Sequence, residues 1–208
     1  MIKVILFDCD GVIVKESERY FRHRMKDEFG ILINDAAATE FFRNDFLLCE
    51  TGKLDLKEEL AKQLPLWNIN WSVEEVLKYW FEGEAEKDLA VVQVVNALRA
   101  EGVKCYLTTN NEKYRVEYLT NVVGLGKILD GIYSSASLGY LKPDVNFWTQ
   151  VYESLGDCKK DEILVFDNQK HLVDSAKEFG FNSEFYTTFE NFKKQLSIYE
   201  ILNGKLRI

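Results

Sequence analysis

Apolar and polar positions along the 208 residues follow three successive rhythms. The first is an unbroken apolar run, Val4-Ile5-Leu6-Phe7, which predicts a strand buried on both faces. The second fills residues 15–88, where charged and aromatic residues recur at helical spacing and no strand is convincing. It predicts a helix over 16–29 stopped by Gly30 and another from Ala36 to Leu48. A third opens at Asp55-Leu56-Lys57-Glu58 and ends at Pro65; a fourth runs from the capping box Ser72-Val73-Glu74-Glu75 to about Gly83. The third rhythm starts at Asp88 and alternates helix with strand. Helix Leu89–Glu101 precedes strand Val103–Thr108. Helix Asn111–Val123 precedes strand Gly131–Ser134. A helix capped by Asp144 and ending at Gly156 precedes strand Glu162–Phe166, and helix Gln169–Phe179 precedes strand Ser183–Tyr186. A last helix covers Phe189–Leu202. This alternation predicts an α/β fold: a parallel sheet of about five strands with helices on both faces. Residues 1–14 and 89–208 form one discontinuous core, and residues 15–88 form a small helical domain inserted into it.

Composition narrows the partners. The chain is 47% hydrophobic and 29% charged with a net charge of −8. No basic run stands out, which argues against nucleic acid and anionic membranes. A small anionic substrate remains compatible, because a bound metal dominates its local field. No apolar stretch reaches the roughly 20 residues of a membrane span. Met1-Ile2-Lys3 leads straight into a strand with no small-residue cleavage site, so no signal peptide is expected. Cys9, Cys49, Cys105 and Cys158 are widely spaced and form no C-x-x-C pair, which argues against a zinc site or a disulfide framework and for a reducing cytoplasm. Trp67, Trp71 and Trp80 lie in the insertion and read as its core or its contact with the main domain; lining the substrate is the minority reading. Oligomeric state leaves no mark in the sequence.

The strand ends carry the chemistry. The first strand closes on Asp8-Cys9-Asp10-Gly11, which by itself is either a polar Asp-Gly turn or a functional pair of carboxylates. The second ends in Thr108-Thr109-Asn110. The third leads, after Gly139, to Lys142-Pro143-Asp144. The fourth ends in Asp167-Asn168. In a parallel sheet such ends gather on one edge. The set suits phosphoryl transfer: Asp8 can attack phosphorus, and a cation held by Asp8, Asp167 and a backbone carbonyl can shield that carboxylate from the anionic substrate. Thr109, Lys142 and the amides opening the next helix can hold the phosphoryl oxygens.

These marks, in this order, resemble the haloacid dehalogenase superfamily: Phe7-Asp8-Cys9-Asp10-Gly11-Val12, Leu107-Thr108-Thr109-Asn110-Asn111, Gly139-Tyr140-Leu141-Lys142-Pro143-Asp144 and Val165-Phe166-Asp167-Asn168. Within it the chain is similar to the sugar-phosphatase-like and phosphomutase-like members with an α-helical cap, over nearly all of residues 2–188. The resemblance implies a Rossmann-like core and makes the insertion at 15–88 the cap. It implies that Asp8 is the nucleophile forming an aspartyl-phosphate, that Asp10 is the acid/base, and that Mg²⁺ is bound by the Asp8 side chain, the Asp10 carbonyl and the Asp167 side chain. Thr109, with Asn110 beside it, looks like the phosphate-binding group, Thr108 its substitute one residue earlier, and Lys142 a partner of Asp8 and of the phosphoryl group. Asp10 favours phosphoryl chemistry over dehalogenation, since the dehalogenases lack an acid two positions after the nucleophile.

The expected activity is a Mg²⁺-dependent phosphatase on a small phosphorylated metabolite, with a sugar phosphate as one option. The alternatives are a phosphomutase of the same superfamily and a low-activity binding protein on the same fold. One departure stands out: Asn168 occupies a position where similar members commonly carry a second aspartate. Either metal affinity is weakened or Asp174 restores the charge. His171 reads as a solvated helix-start side chain, His23 as packing or surface, and Asp144 as a helix cap. Arg19, Arg22, Arg24 and Arg43 are options for holding a second anionic group.

Overall fold

A computed structural model describes residues 1–201. Five parallel strands form one sheet: β1 (Val4–Phe7), β2 (Lys104–Thr109), β3 (Gly131–Ser134), β4 (Ile163–Asp167) and β5 (Asn182–Phe185), in the order β3-β2-β1-β4-β5. β1 is central, and all four of its residues are buried. Ile5 and Phe7 face one layer, packing with Leu107, Leu164, Phe166 and Phe192. Val4 and Leu6 face the other, with Phe147, Trp148 and Val165. Burying side chains of this size contributes roughly 1.5–3 kcal/mol each, so the register of β1 is firmly set.

Helices α6 (Leu89–Ala100), α7 (Lys113–Asn121), α8 (Leu125–Ile128) and α12 (Phe189–Ile198) supply the first layer. α10 (Val145–Ser154) and α11 (Lys170–Phe179) supply the second. α9 (Ser135–Leu138) and α8 are short helices absent from the sequence reading. Leu202, the expected end of the last helix, lies outside the described residues.

Between β1 and α6 stand five helices and no strand: α1 (Phe21–Phe29), α2 (Asp35–Arg43), α3 (Asp45–Glu50), α4 (Leu56–Leu66) and α5 (Val73–Glu82). Their own apolar cluster is built on Phe41, Trp67, Leu60, Val76 and Phe81. The expected single helix Ala36–Leu48 is two, broken at Asn44, whose φ of −120° and ψ of −81° leave the helical region. Pro65 does not end α4; it sits in the last turn with only Leu66 of the helix beyond it, and Trp67 caps the helix. The two crossings into the insert pair with each other: Lys15 N–H donates to Glu86 O at 2.7 Å and Asp88 N–H to Ile13 O at 2.8 Å. Among the described residues no helix is long and apolar enough to cross a membrane, and the four cysteines are free and buried.

Candidate active site

Sheet register brings the polar ends level. Phe7 pairs with Leu107 on one side and Phe166 on the other, so the next residues, Asp8, Thr108 and Asp167, come out side by side. Lys142 reaches into this row from the loop after α9. Its Nζ donates to Asp8 Oδ1 at 2.5 Å and to Asp167 Oδ2 at 2.6 Å. The lysine is 1% exposed, Asp8 5% and Asp167 1%. Burial pushes the Asp8 carboxyl up, with Lys142 pulling against it. Burial alone would lower the Lys142 ammonium, but the attraction of the two carboxylates outweighs it and the shift is upward. A buried ammonium shared by two carboxylates is compensated only while all three remain in place.

The loop carrying Lys142 is anchored by Asn110, whose Oδ1 accepts the Lys142 N–H at 2.9 Å. Asn110 thus orients the lysine through its backbone and also lines the cavity above the sheet. Thr109 is buried, and its Oγ1 accepts from Asn111 Nδ2 at 2.6 Å; Thr108, fully buried, has an Oγ1 with no hydrogen-bond partner among the described residues. Two of the amides opening α7 are not available to an anion as the sequence suggested. Glu112 caps that helix with its own side chain, accepting from Tyr114 N–H at 2.7 Å and Arg115 N–H at 2.5 Å.

Asp10 leaves the row and faces the cavity, with its side chain 48% exposed. Its two oxygens accept from Asn111 Nδ2 at 3.1 Å and Arg115 Nη2 at 3.2 Å. Arg115 is the residue that sequence reading missed. It is 5% exposed, donates to Phe81 O at 3.1 Å and also to Glu84 O, and so joins Asp10 to the end of the inserted helices. An arginine six residues beyond Thr109 carries no sequence signal until α7 is folded against the insert.

Hard oxygen donors surround the Asp8–Asp167 pair. Asn168 Oδ1 is buried and lacks a hydrogen-bond partner among the described residues. Its amide packs onto Gly11, where a Cβ would lie 2.0 Å from Asn168 Nδ2 and φ is +86°. Two carboxylates, an orphaned amide oxygen and the nearby Asp10 carbonyl fit a small divalent cation such as Mg²⁺, which keeps part of its water shell. No group of three or more His, Cys, Asp or Glu among the described residues is arranged to hold a metal without such help. Asp174 does not replace the missing charge: it pairs with Lys170 one turn earlier on α11 and is 46% exposed. His171 and His23 are exposed, and Asp144 caps α10 through Asn146 N–H at 2.8 Å.

A cavity of about 280 Å³ lies between this edge and the insert, lined by Asp10, Asn111 and Asn168 below and Phe46, Glu50 and Trp80 above. Trp80 therefore lines the site, while Trp67 is buried in the insert's core. Of the four arginines singled out, Arg19 pairs with Asp27 and Arg24 donates to Tyr79 O and Trp80 O at 3.2 Å. Arg22 and Arg43 line a second cavity in the insert.

A family profile of haloacid dehalogenase-like hydrolases matches residues 2–180, and the chain belongs to that family. The GMP/IMP nucleotidase YrfG of Escherichia coli (strain K12) is 30% identical over 89 residues, 43% of this chain and 40% of that protein. The chain therefore matches about two fifths of that relative's length. The sesquiterpene phosphatase astK of Aspergillus oryzae is 23% identical over 176 residues, 82% of this chain and 83% of that protein. Among solved structures, the HAD family enzyme BT-2542 of Bacteroides thetaiotaomicron, in complex with magnesium and inorganic phosphate, superposes with a TM-score of 0.78 at 18% identity, covering 94% of this chain and 99% of that one. The chain thus belongs to a family of hydrolases, and one of its solved structural neighbours holds magnesium and inorganic phosphate.

Proposed function

We propose that the protein is a Mg²⁺-dependent phosphatase of small phosphate monoesters acting through an aspartyl-phosphate. The observation carrying this reading is the buried Asp8–Lys142–Asp167 group with Asp10 two residues beyond Asp8. Asp8 attacks phosphorus and the ester P–O bond breaks, while Asp10 gives a proton to the leaving oxygen. Water then attacks the same phosphorus, Asp10 takes its proton, and Asp8 is released with inorganic phosphate. Lys142 and Thr109 hold the phosphoryl oxygens, and Asn110 holds the lysine loop in place. Asp8, Asp167 and the Asp10 carbonyl would hold the Mg²⁺, with the orphaned Asn168 oxygen beside them; the ion supplies charge neutralisation for the approach of an anionic ester. The inserted helices, residues 15–88, act as a cap over the cavity and select the alcohol. A cytoplasmic setting agrees with four free cysteines.

The two relatives by name act on very different alcohols, a nucleoside and a sesquiterpene, so the substrate has to be read from the cap. Release of inorganic phosphate from acetyl phosphate and alkyl phosphates, with Mg²⁺ and after chelation, tests the reading. Phosphate release that needs Mg²⁺ is expected; none under either condition, or an isomerised phosphate ester in its place, would overturn it.

A further inference from the structure

The insert contains a second cavity of about 450 Å³, lined by Phe21, Phe42, Thr39 and Arg43. It shares Tyr20, Phe46, Trp80 and Glu84 with the cavity over Asp10. The two spaces thus meet at three aromatic rings. Their linings differ. The inner one carries the carboxyls of Glu50 and Glu112; the outer one carries Phe21 and Phe42 together with Arg22, Thr39 and Arg43. α3, which carries Glu50, is held down on the core by the turn that follows: at Gly52 (φ +67°) an added Cβ would lie 2.6 Å from Ala136 O.

Resting on the phosphatase reading, we propose that the alcohol half of the substrate is a nucleoside, its ribose hydroxyls donating to Glu50 and Glu112 in the inner cavity and its base lying against Tyr20, Phe46 and Trp80 toward the outer one. Three features of the linings select this class. A carboxyl oxygen accepts more than one hydrogen bond, so Glu112 can serve a hydroxyl while still capping α7. An apolar chain at the same place would cover the Glu50 carboxyl without giving it a partner, which is costly, whereas Glu112 keeps its two helix amides. A bare sugar would satisfy the acids but leave the aromatic boundary and the outer space unfilled. Aromatic rings accept any base face by stacking, whatever the base.

The electrostatics limit the phosphates to one. The cations of the inner cavity are already committed: Lys15 to Glu86, and Arg115 to Asp10 and two carbonyls. Burial pushes the carboxyl of Glu50 up to about 7, with Glu112 and Asp10 adding repulsion. Within the inner cavity a second anionic group therefore meets carboxyls and cations that are already paired, which disfavours diphosphates and phosphorylated acids there.

The test compares kcat/KM of the Mg²⁺-loaded enzyme for inosine 5′-monophosphate, glucose 6-phosphate and farnesyl monophosphate, with acetyl phosphate as a probe of the chemistry alone. The nucleotide is expected to exceed the other two esters by about 10-fold or more. Tyr20→Ala, at an exposed position, and the near-isosteric Glu50→Gln should each lower the nucleotide's kcat/KM about 10-fold relative to that of acetyl phosphate, mainly through KM. Hydrolysis of acetyl phosphate with farnesyl monophosphate or glucose 6-phosphate as the better ester would overturn the nucleoside assignment and leave the phosphatase reading standing. Equal loss on all substrates in both variants would overturn it too. No hydrolysis of any of the four would remove the phosphatase reading and this inference with it.

Discussion

The edge of the sheet and the helices inserted above it solve different problems with different residues. At the edge, every polar side chain sits where strand register puts it. Asp8, Thr108 and Asp167 follow paired residues of three neighbouring strands, and Lys142 ties the two acids together. In the insert, position is set by packing. Rings of Phe41, Phe42, Phe46, Trp67 and Trp80 stack and meet edge-on within about 6 Å of one another, and the polar groups that reach the cavity come from helix ends. Backbone hydrogen bonds give the first region little freedom to vary. Side-chain packing gives the second a shape that a few substitutions can alter. On the proposed reading, reaction chemistry belongs to the first and choice of alcohol to the second.

The sharpest way to break the contrast is Lys142→Met. At the edge it leaves two buried carboxylates unpaired, and the loss expected is about 3–5 kcal/mol of stability without divalent cation. Chemical unfolding with and without Mg²⁺ checks it. A loss below 1 kcal/mol would mean that the acids are not held by the lysine.

Arg115 sits on the boundary, so it sharpens the comparison. Arg115→Met removes the donor to Asp10 and the ties to Phe81 and Glu84. If Arg115 positions Asp10, turnover of an alkyl phosphate with a poor leaving group should fall about 10²-fold or more, as for loss of general acid catalysis. A nitrophenyl ester, which needs little proton transfer, should fall much less, and Arg115→Lys should recover part of the difference. Equal losses on both esters would make Arg115 a structural link only.

A smaller effect is expected where the insert is pinned to the core. Asp55 caps α4 and accepts from Lys113 and Tyr114 of α7, at 2.5 and 2.8 Å. Burial alone would raise its carboxyl, but these donors bring it down to about 2 from an ordinary 3.8. With the folded value below the unfolded one, its stabilisation is full above about pH 4 and is lost as pH falls toward 2. Asp55→Asn should cost about 1 kcal/mol at neutral pH and flatten the acid limb of the stability curve between those values. An unchanged acid limb would mean the contact does not form in solution.

The same contrast explains what could be read from the sequence. The strands and the gathering of Asp8, Lys142 and Asp167 at one edge were legible, because buried parallel strands write continuous apolar runs and place their polar ends on one edge. That two amides of α7 are taken by Glu112 was not foreseen, because a glutamate is an uncommon side-chain cap and nothing in Asn111-Glu112-Lys113 announces one. Arg115 was invisible because its acceptors lie 31 to 105 residues away. In the insert, helix content was legible but the break at Asn44 was not, and which of three tryptophans faces the cavity depends on rotation about α5 that spacing alone does not resolve.

The central claim, that Asp8 carries the phosphoryl group, is tested most directly by a single-turnover reaction with a phosphoryl-labelled ester, quenched in acid and mapped by peptide. The label is expected on the peptide holding Asp8, transiently and only with Mg²⁺, and it should be absent in Asp8→Asn along with at least about 10⁴-fold of the turnover. Label on another residue, or an Asp8→Asn variant that still turns over at the wild-type rate, would contradict it.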